Sequence, residues 1–215
     1  QDTTIPSGCF HYDELLVNVD DPTSVLDTTL SNYDPINIQF TSGTTGLPKG
    51  ATLTHRNILN NAKFCAQRMQ LAQSDVLCLP VPMYHCFGLV LGKLTAMSAG
   101  SRVIYPAALF NAEATLNSVQ EYNVTALHGV PTMFIEELNH PKFEDYDLSS
   151  LRTGIMAGSN CPEELLHRLS DRMNLPEMTV CYGMTETSPV SFQIDAKDLN
   201  IIRRKSVGTI HPHVE

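Results

Sequence analysis

From Pro35 onward, short apolar runs alternate with stretches in which apolar residues recur every three or four positions, the pattern of strands joined by crossover helices. Ile36, Ile38 and Phe40 alternate with Asn37 and Gln39, which predicts a strand ending in the loop Thr41–Gly50. A helix is expected directly after it. Thr54 suits an N-cap, and Ile58, Ala62, Cys65 and Met69 form one apolar stripe. The beat then repeats with a strand at Val76–Leu79, a Pro-broken loop through Pro82–Gly88, an apolar helix near Leu89–Ser98 and a strand at Arg102–Tyr105. Asn111 can cap a helix through Tyr122, Val124–Leu127 reads as a strand, and Pro131 opens a helix through Leu138. Leu151–Met156 and Thr179–Cys181 read as strands around a helix that Pro162 begins. The fold class expected is α/β, layered βα units with a largely parallel sheet.

At 215 residues and 23.7 kDa the chain suits one ordinary domain or a substantial piece of a larger one. With 42% hydrophobic and 17% charged residues it can bury a core, and its longest apolar stretches are too short to span a bilayer. A net charge of −9 argues against nucleic acid as the principal partner. Much of that acidity sits early: Asp2, Asp13, Glu14, Asp20, Asp21, Asp27 and Asp34 fall within residues 1–35, which hold no Lys or Arg. Residues 1–34 are therefore expected to be an acidic, solvated lead-in to the same domain, and residues 35–215 its α/β core. The six cysteines form no CxxC pair and several lie inside apolar runs, which points to reduced thiols and an intracellular, reducing compartment. Gln1 stands where an initiator Met would, and no targeting segment is visible, so the chain is expected to be processed or cut from something longer.

The most informative stretch is Thr41-Ser42-Gly43-Thr44-Thr45-Gly46-Leu47-Pro48-Lys49-Gly50. Its glycines let backbone amides approach an anion, Thr41, Ser42, Thr44 and Thr45 supply hydroxyls, and Lys49 supplies positive charge. A Walker A loop is excluded, because Leu47 and Pro48 precede Lys49, and Gly50 follows it where Ser or Thr is required.

Residues 41–50 resemble the phosphate loop of the acyl-adenylate-forming enzymes, a family that includes acyl-CoA synthetases, peptide-synthetase adenylation domains and luciferases. Tyr182-Gly183-Met184-Thr185-Glu186, roughly 140 residues downstream, resembles that family's second hallmark, an aromatic-Gly-x-Thr-Glu turn. Pro82-Met83-Tyr84-His85-Cys86-Phe87-Gly88 is similar to the substrate-side loop of acyl-CoA synthetases. Gly158-Ser159-Asn160 falls where the family lines its adenine pocket, and Val207–Ile210 resembles its next turn. The likeness is closest to medium-chain fatty-acyl-CoA ligases, which are mitochondrial or cytoplasmic.

The resemblance implies ATP, Mg²⁺ and coenzyme A as cofactors and cosubstrates, and a small-molecule carboxylic acid as substrate. It assigns Thr41, Ser42, Gly43, Thr44, Thr45, Gly46 and Lys49 to the phosphates, Glu186 to Mg²⁺ and Thr185 to the α-phosphate. Tyr182, with Gly183 and Met184 after it, would lie against adenine, and Gly158, Ser159 and Asn160 would form the opposite wall. His85 would sit beside the substrate carboxylate. His128, Gly129, Val130, Thr132 and Met133, placed after a predicted strand, are candidates for the acyl tunnel, against which plain core packing competes. The family's ribose-binding Asp and catalytic Lys would lie outside these residues. Three other readings stay open: a non-catalytic ATP- or acyl-binding module, an adenylating enzyme for an amino, aromatic or luciferin-like acid, and an unrelated phosphotransferase that the Gly-Thr loop alone would allow. The His211-Pro212-His213 run lacks the further ligands a metal centre needs.

Overall fold

The computed structural model describes residues 29–42, 46–197 and 206–214. The chain divides into two compact units, Gln1–Ser31 and Asn32–Glu215, and every strand and helix described belongs to the second. The acids expected in the lead-in, apart from Asp34, lie outside the described residues.

Two sheets are present among the described residues. The smaller is an antiparallel hairpin of β1 (Pro35–Thr41) and β2 (Lys49–Thr54), in register Thr41↔Lys49 and Phe40↔Gly50. This corrects the expectation that a helix follows the loop directly. Residues 49–54 alternate between outward positions and the inward Ala51 and Leu53, a strand pattern that sequence reading had merged with the loop. Helix α1 (His55–Met69) starts only after that strand. Its start is set by a reciprocal cap: Thr54 Oγ1 accepts from the Asn57 amide at 3.2 Å, and Asn57 Oδ1 accepts from the Thr54 amide at 3.3 Å. On β1, Ile36, Ile38 and Phe40 face outward and remain exposed.

The larger sheet holds β3 (Val76–Cys78), β4 (Arg102–Ile104), β5 (Ala126–Gly129), β6 (Thr153–Met156), β7 (Glu177–Gly183), β8 (Val190–Gln193) and β9 (Thr209–Ile210). Their spatial order is β4-β3-β5-β6-β7-β8-β9. The pairs from β4 to β7 are parallel, while β7-β8-β9 run antiparallel. Helices α2 (Thr95–Ala99), α3 (Ala112–Tyr122), α4 (Pro131–Leu138) and α5 (Glu163–Arg172) cross between strands. The helix expected at Leu89–Ser98 is instead a π-helix, Phe87–Leu94, running into α2. Asn111 caps α3 by accepting the Ala114 amide at 2.8 Å, and Pro131 is the first residue of α4, both as the sequence predicts.

Alternation along the strands sends neighbouring residues to opposite faces, and each face has its own core. Cys78, Leu127, Met156 and Val180 pack with Leu116 and Val119 of α3, Phe134 of α4 and Leu169 of α5. Leu77, Ala126, Ile155 and Cys181 pack with Ile58, Ala62 and Cys65 of α1 and with Phe87 and Val90 of the π-helix. The result is a three-layer sandwich whose parallel strands are buried on both sides.

At the N-terminal ends of these strands one ion cluster ties the sheet together. Arg152 makes a two-pronged contact with Asp75, Nε to Oδ1 at 3.2 Å and Nη2 to Oδ2 at 2.7 Å, and donates from Nη1 to Glu177 at 2.8 Å. Thr125 Oγ1 donates to Asp75 Oδ1 at 2.7 Å, and the Ala72 amide to Oδ2 at 2.8 Å. Burial pushes the Asp75 carboxyl upward, but the hydrogen bonds from Arg152, Thr125 and Ala72 and the Arg152 charge hold it below its ordinary value. Its contribution to stability is thus complete above the unfolded carboxyl value near 3.8 and is lost as the pH falls through the lower folded one. Arg152→Met should cost about 3 kcal/mol at neutral pH, the low end for breaking a buried pair because the Arg152 side chain is 31% exposed. Urea denaturation measures this, and an unchanged midpoint would mean the cluster is idle.

Candidate functional site

The opposite ends of the same strands, where loops leave their C-terminal edges, hold two clefts. The first, of about 610 Å³, is lined by Thr41 and Ser42 from the hairpin, Tyr84 to Phe87 from the loop after β3, Ala157 and Gly158 after β6, and Met184, Thr185 and Glu186 after β7. Segments some 140 residues apart in the chain meet there: Thr41 Oγ1 donates to Glu186 Oε1 at 3.1 Å. The second cleft, of about 870 Å³, is lined by Gly158, Ser159, Asn160 and Cys161 with Tyr182, Ser206 and Val207. Gly158, Cys181 and Gly183 border both.

The turn that carries Thr185 and Glu186 is held closed by its own backbone. The Met184 amide donates to Pro189 O at 2.9 Å, and Thr187 Oγ1 donates to the same oxygen at 2.7 Å. Gly183 lies so close to this crossing that a Cβ built on it would sit 1.8 Å from Pro189 O. A side chain cannot be accommodated there without moving backbone. Thr185 Oγ1 lies 3.5 Å from Cys86 Sγ. Cys86 is buried, which raises its thiol pKa together with the nearby Glu186 charge and against the Thr185 and backbone contacts.

His85 is exposed at the mouth of the first cleft. The Phe87 amide donates to its Nδ1 at 3.0 Å, so the ring proton sits on Nε2. Tyr84 beside it is 83% exposed. Gly88 fixes the loop: a Cβ there would stand 2.1 Å from Pro82 O.

The predicted phosphate residues divide into three groups. Thr41 and Ser42 line the first cleft; Gly46, with φ at +114°, and Lys49 are exposed on the hairpin outside both clefts; Gly43, Thr44 and Thr45 lie outside the described residues. Because β2 separates the loop from α1, the loop does not run directly into the N-terminus of that helix. Tyr182 and Gly158–Asn160 line the second cleft together as expected, while Gly183 borders both clefts and Met184 lines the first.

The tunnel candidates are placed elsewhere. His128 and Gly129 do not follow a strand but lie within β5, fully buried, because the strand runs two residues later than its apolar pattern suggests. Val130 and Met133 pack on the core, Thr132 is exposed, and none of the five lines either cleft. The Ile155 amide donates to His128 Nδ1 at 3.2 Å, so Nε2 carries the proton and donates to Leu91 O at 3.0 Å, pinning the π-helix to β5. The apolar floor of the first cleft is formed instead by Phe87, Leu91, Ala157 and Val190. Sequence reading also missed Asn61, a polar residue inside the apolar stripe of α1, which is itself the signal that could have found it.

Glu186 presents an exposed carboxylate beside the hydroxyls of Thr41 and Thr185. One carboxylate plus phosphate oxygens and water is the donor set Mg²⁺ favours, so these residues fit a metal that arrives with a nucleotide. Among the described residues no cluster of three or more His, Cys, Asp or Glu could hold a metal unaided. Five described cysteines are free thiols, and no described helix is long and apolar enough to cross a membrane.

Residues 6–215 match the sequence profile of the AMP-binding enzyme family. The chain belongs to that family. It is 46% identical over 190 residues to the medium-chain acyl-CoA ligase ACSF2, mitochondrial, of Mus musculus, covering 86% of this chain and 31% of the relative. The inhibitor-bound N-terminal domain of FACL13 from Mycobacterium tuberculosis superposes with a TM-score of 0.76 at 26% identity, covering 86% of this chain and 45% of that one. ATP-bound MatB from Rhodopseudomonas palustris gives 0.72 at 25% identity, covering 85% and 35%. The AMP-binding chain spans less than two fifths of the length of the curated relatives it matches.

Two outcomes follow from this geometry. Gly183→Ala should destabilise the chain by about 1–3 kcal/mol through forced displacement at Pro189, read by urea denaturation; an unchanged midpoint would show the crossing to be yielding. Burial lowers the His128 pKa from 6.5 to about 4, against the pull of its backbone hydrogen bonds. The unfolded chain therefore takes up a proton first, and up to roughly 3 kcal/mol of stability is lost as the pH falls through that window. His128→Gln should flatten this limb of the stability–pH curve, with the remainder due to His211, which burial lowers likewise.

Proposed function

We propose that the whole protein activates a carboxylic acid with ATP, forming an acyl-adenylate and pyrophosphate, and then transfers the acyl group to coenzyme A with release of AMP. The observation that carries this reading is the meeting of Thr41 and Glu186 at 3.1 Å, which brings hydroxyls suited to phosphate and a carboxylate suited to Mg²⁺ to one cleft. The acid and the triphosphate are both anionic, so the site has to hold repelling groups in line and offset charge on the phosphoryl oxygens.

In this reading Thr41, Ser42 and the loop Gly43–Gly46 grip the β- and γ-phosphates, with Lys49 as a point charge on the same hairpin. Thr185 Oγ1 donates to an α-phosphate oxygen. Bound with the triphosphate through Glu186, Mg²⁺ supplies positive charge that neutralises phosphate oxygens. The second cleft takes the adenine, with Tyr182 on one side and Gly158–Asn160 on the other. His85, carrying its proton on Nε2, donates a hydrogen bond to the carboxylate of the acid at the mouth of the first cleft.

Its floor of Phe87, Leu91, Ala157 and Val190 is apolar and supports an acyl chain rather than an ammonium group as the substrate's remainder. The likeness to ACSF2 favours medium-chain fatty acids, and a mitochondrial or cytoplasmic setting accords with the free thiols.

The full-length protein given ATP, coenzyme A and a panel of acids of increasing chain length should release AMP and pyrophosphate only when an acid is present. ADP formation would refute adenylation, and preference for an α-amino acid would refute the acyl assignment. Glu186→Gln should lower the rate of ATP–pyrophosphate exchange on the order of 10²-fold.

A further inference from the structure

Helix α1 carries an amide on its buried face. Asn61 is 5% exposed, between Ile58, Ala62 and Cys65, a setting in which a polar side chain is costly unless both its ends are paired. Both are paired, and to the same residue 129 positions away. Nδ2 donates to Val190 O at 2.8 Å, and Oδ1 accepts the Val190 amide at 3.1 Å. The side chain takes the place of a neighbouring strand at the first residue of β8.

Val190 is where the turn bearing Thr185 and Glu186 rejoins the sheet. That turn is closed on itself through Met184, Thr187 and Pro189, so it moves as a unit and its ends set its position. At its other end α1 follows β2 without a break, and β2 pairs with β1, which ends at Thr41. One helix is therefore joined covalently to the hairpin and by a paired amide to the turn.

We propose that Asn61 is a positioning residue that sets the spacing between the Thr41 hydroxyl and the Glu186 carboxylate, and with it the grip of the first cleft on the triphosphate end of the nucleotide. The proposal rests on the reading of that cleft given above. Without the amide, the Val190 N–H and C=O lose their buried partners and the turn can shift against the hairpin. A displacement of about 1 Å is enough to cost up to 10²-fold in a pre-organised site.

The test uses the full-length protein with Asn61→Leu and Asn61→Asp, calorimetric titration with ATP and with AMP, and separate KM values for ATP and for the acid. Asn61→Leu, which fills the space, should weaken ATP binding about tenfold or more, AMP binding by less, and leave the KM for the acid nearly unchanged. A merely structural role lowers the folded fraction and kcat while leaving ATP affinity and both KM values in place, and that result in a folded variant overturns the proposal. In Asn61→Asp, the introduced carboxyl when protonated can donate to Val190 O and accept from its amide as the wild-type amide does. ATP affinity of that variant relative to wild type should therefore recover as the pH is lowered from about 8 to about 6, since burial raises a carboxyl pKa. If Asn61→Leu does not fold, this recovery decides, and its absence overturns the proposal. Glu186→Gln separates the two levels. If that change leaves ATP binding and turnover intact, the reading of the cleft fails; if it impairs them while Asn61→Leu does not, only the role of Asn61 fails.

Discussion

A parallel strand covered by helices on both faces leaves little room along its length for charged groups, because its apolar residues are claimed by one core or the other and its few polar ones, such as His128 and Thr179, are hydrogen-bonded inside. Leu77 and Cys78, Ala126 and Leu127, or Ile155 and Met156 are neighbours in sequence and members of different cores. Charged and catalytic groups are displaced to the strand ends, and the two ends have different uses here. One is locked by Asp75, Arg152 and Glu177; the other opens into clefts lined by Thr41, His85, Thr185 and Glu186. The core thus defines where function can be built before any functional residue is considered.

The hairpin changes how a phosphate loop at this place would have to work. A loop at a helix N-terminus borrows partial positive charge from aligned peptide dipoles. This loop instead joins two antiparallel strands, so in the proposed reading its attraction for an anion would come from its own hydroxyls, amides and Lys49 rather than from the end of α1. In that reading the partner segment at Glu186 becomes more consequential.

Much of this was legible in the chain. Caps and breakers wrote their positions directly: Thr54, Asn111, Pro131 and Pro162 mark helix starts within a residue of where they stand. The pairing of the Thr41 loop with the Thr185–Glu186 turn was legible through the family likeness. What failed did so for definite reasons. Residues 49–54 contain Gly50 and three hydroxyl or amine side chains, so their alternation was hidden beside the loop. β5 was placed two residues early because Val124, fully buried, looks like strand although it precedes it. His128 was named a tunnel candidate against core packing because residue type alone does not distinguish a packed imidazole from a ligand; it lies buried and doubly hydrogen-bonded in β5, lining neither described cleft. Asn61 left a local sign, a polar residue in an apolar stripe, but its partner Val190, 129 positions away, left none.

Gly158, Cys181 and Gly183 line both clefts, and two of them have no side chain. A molecule long enough to reach both clefts would be held from both sides of these residues, each half raising the effective concentration of the other. Severing such a molecule between the clefts would end that mutual reinforcement. In the proposed reaction each fragment would then keep one compartment's grip alone, so cleavage would itself loosen the products.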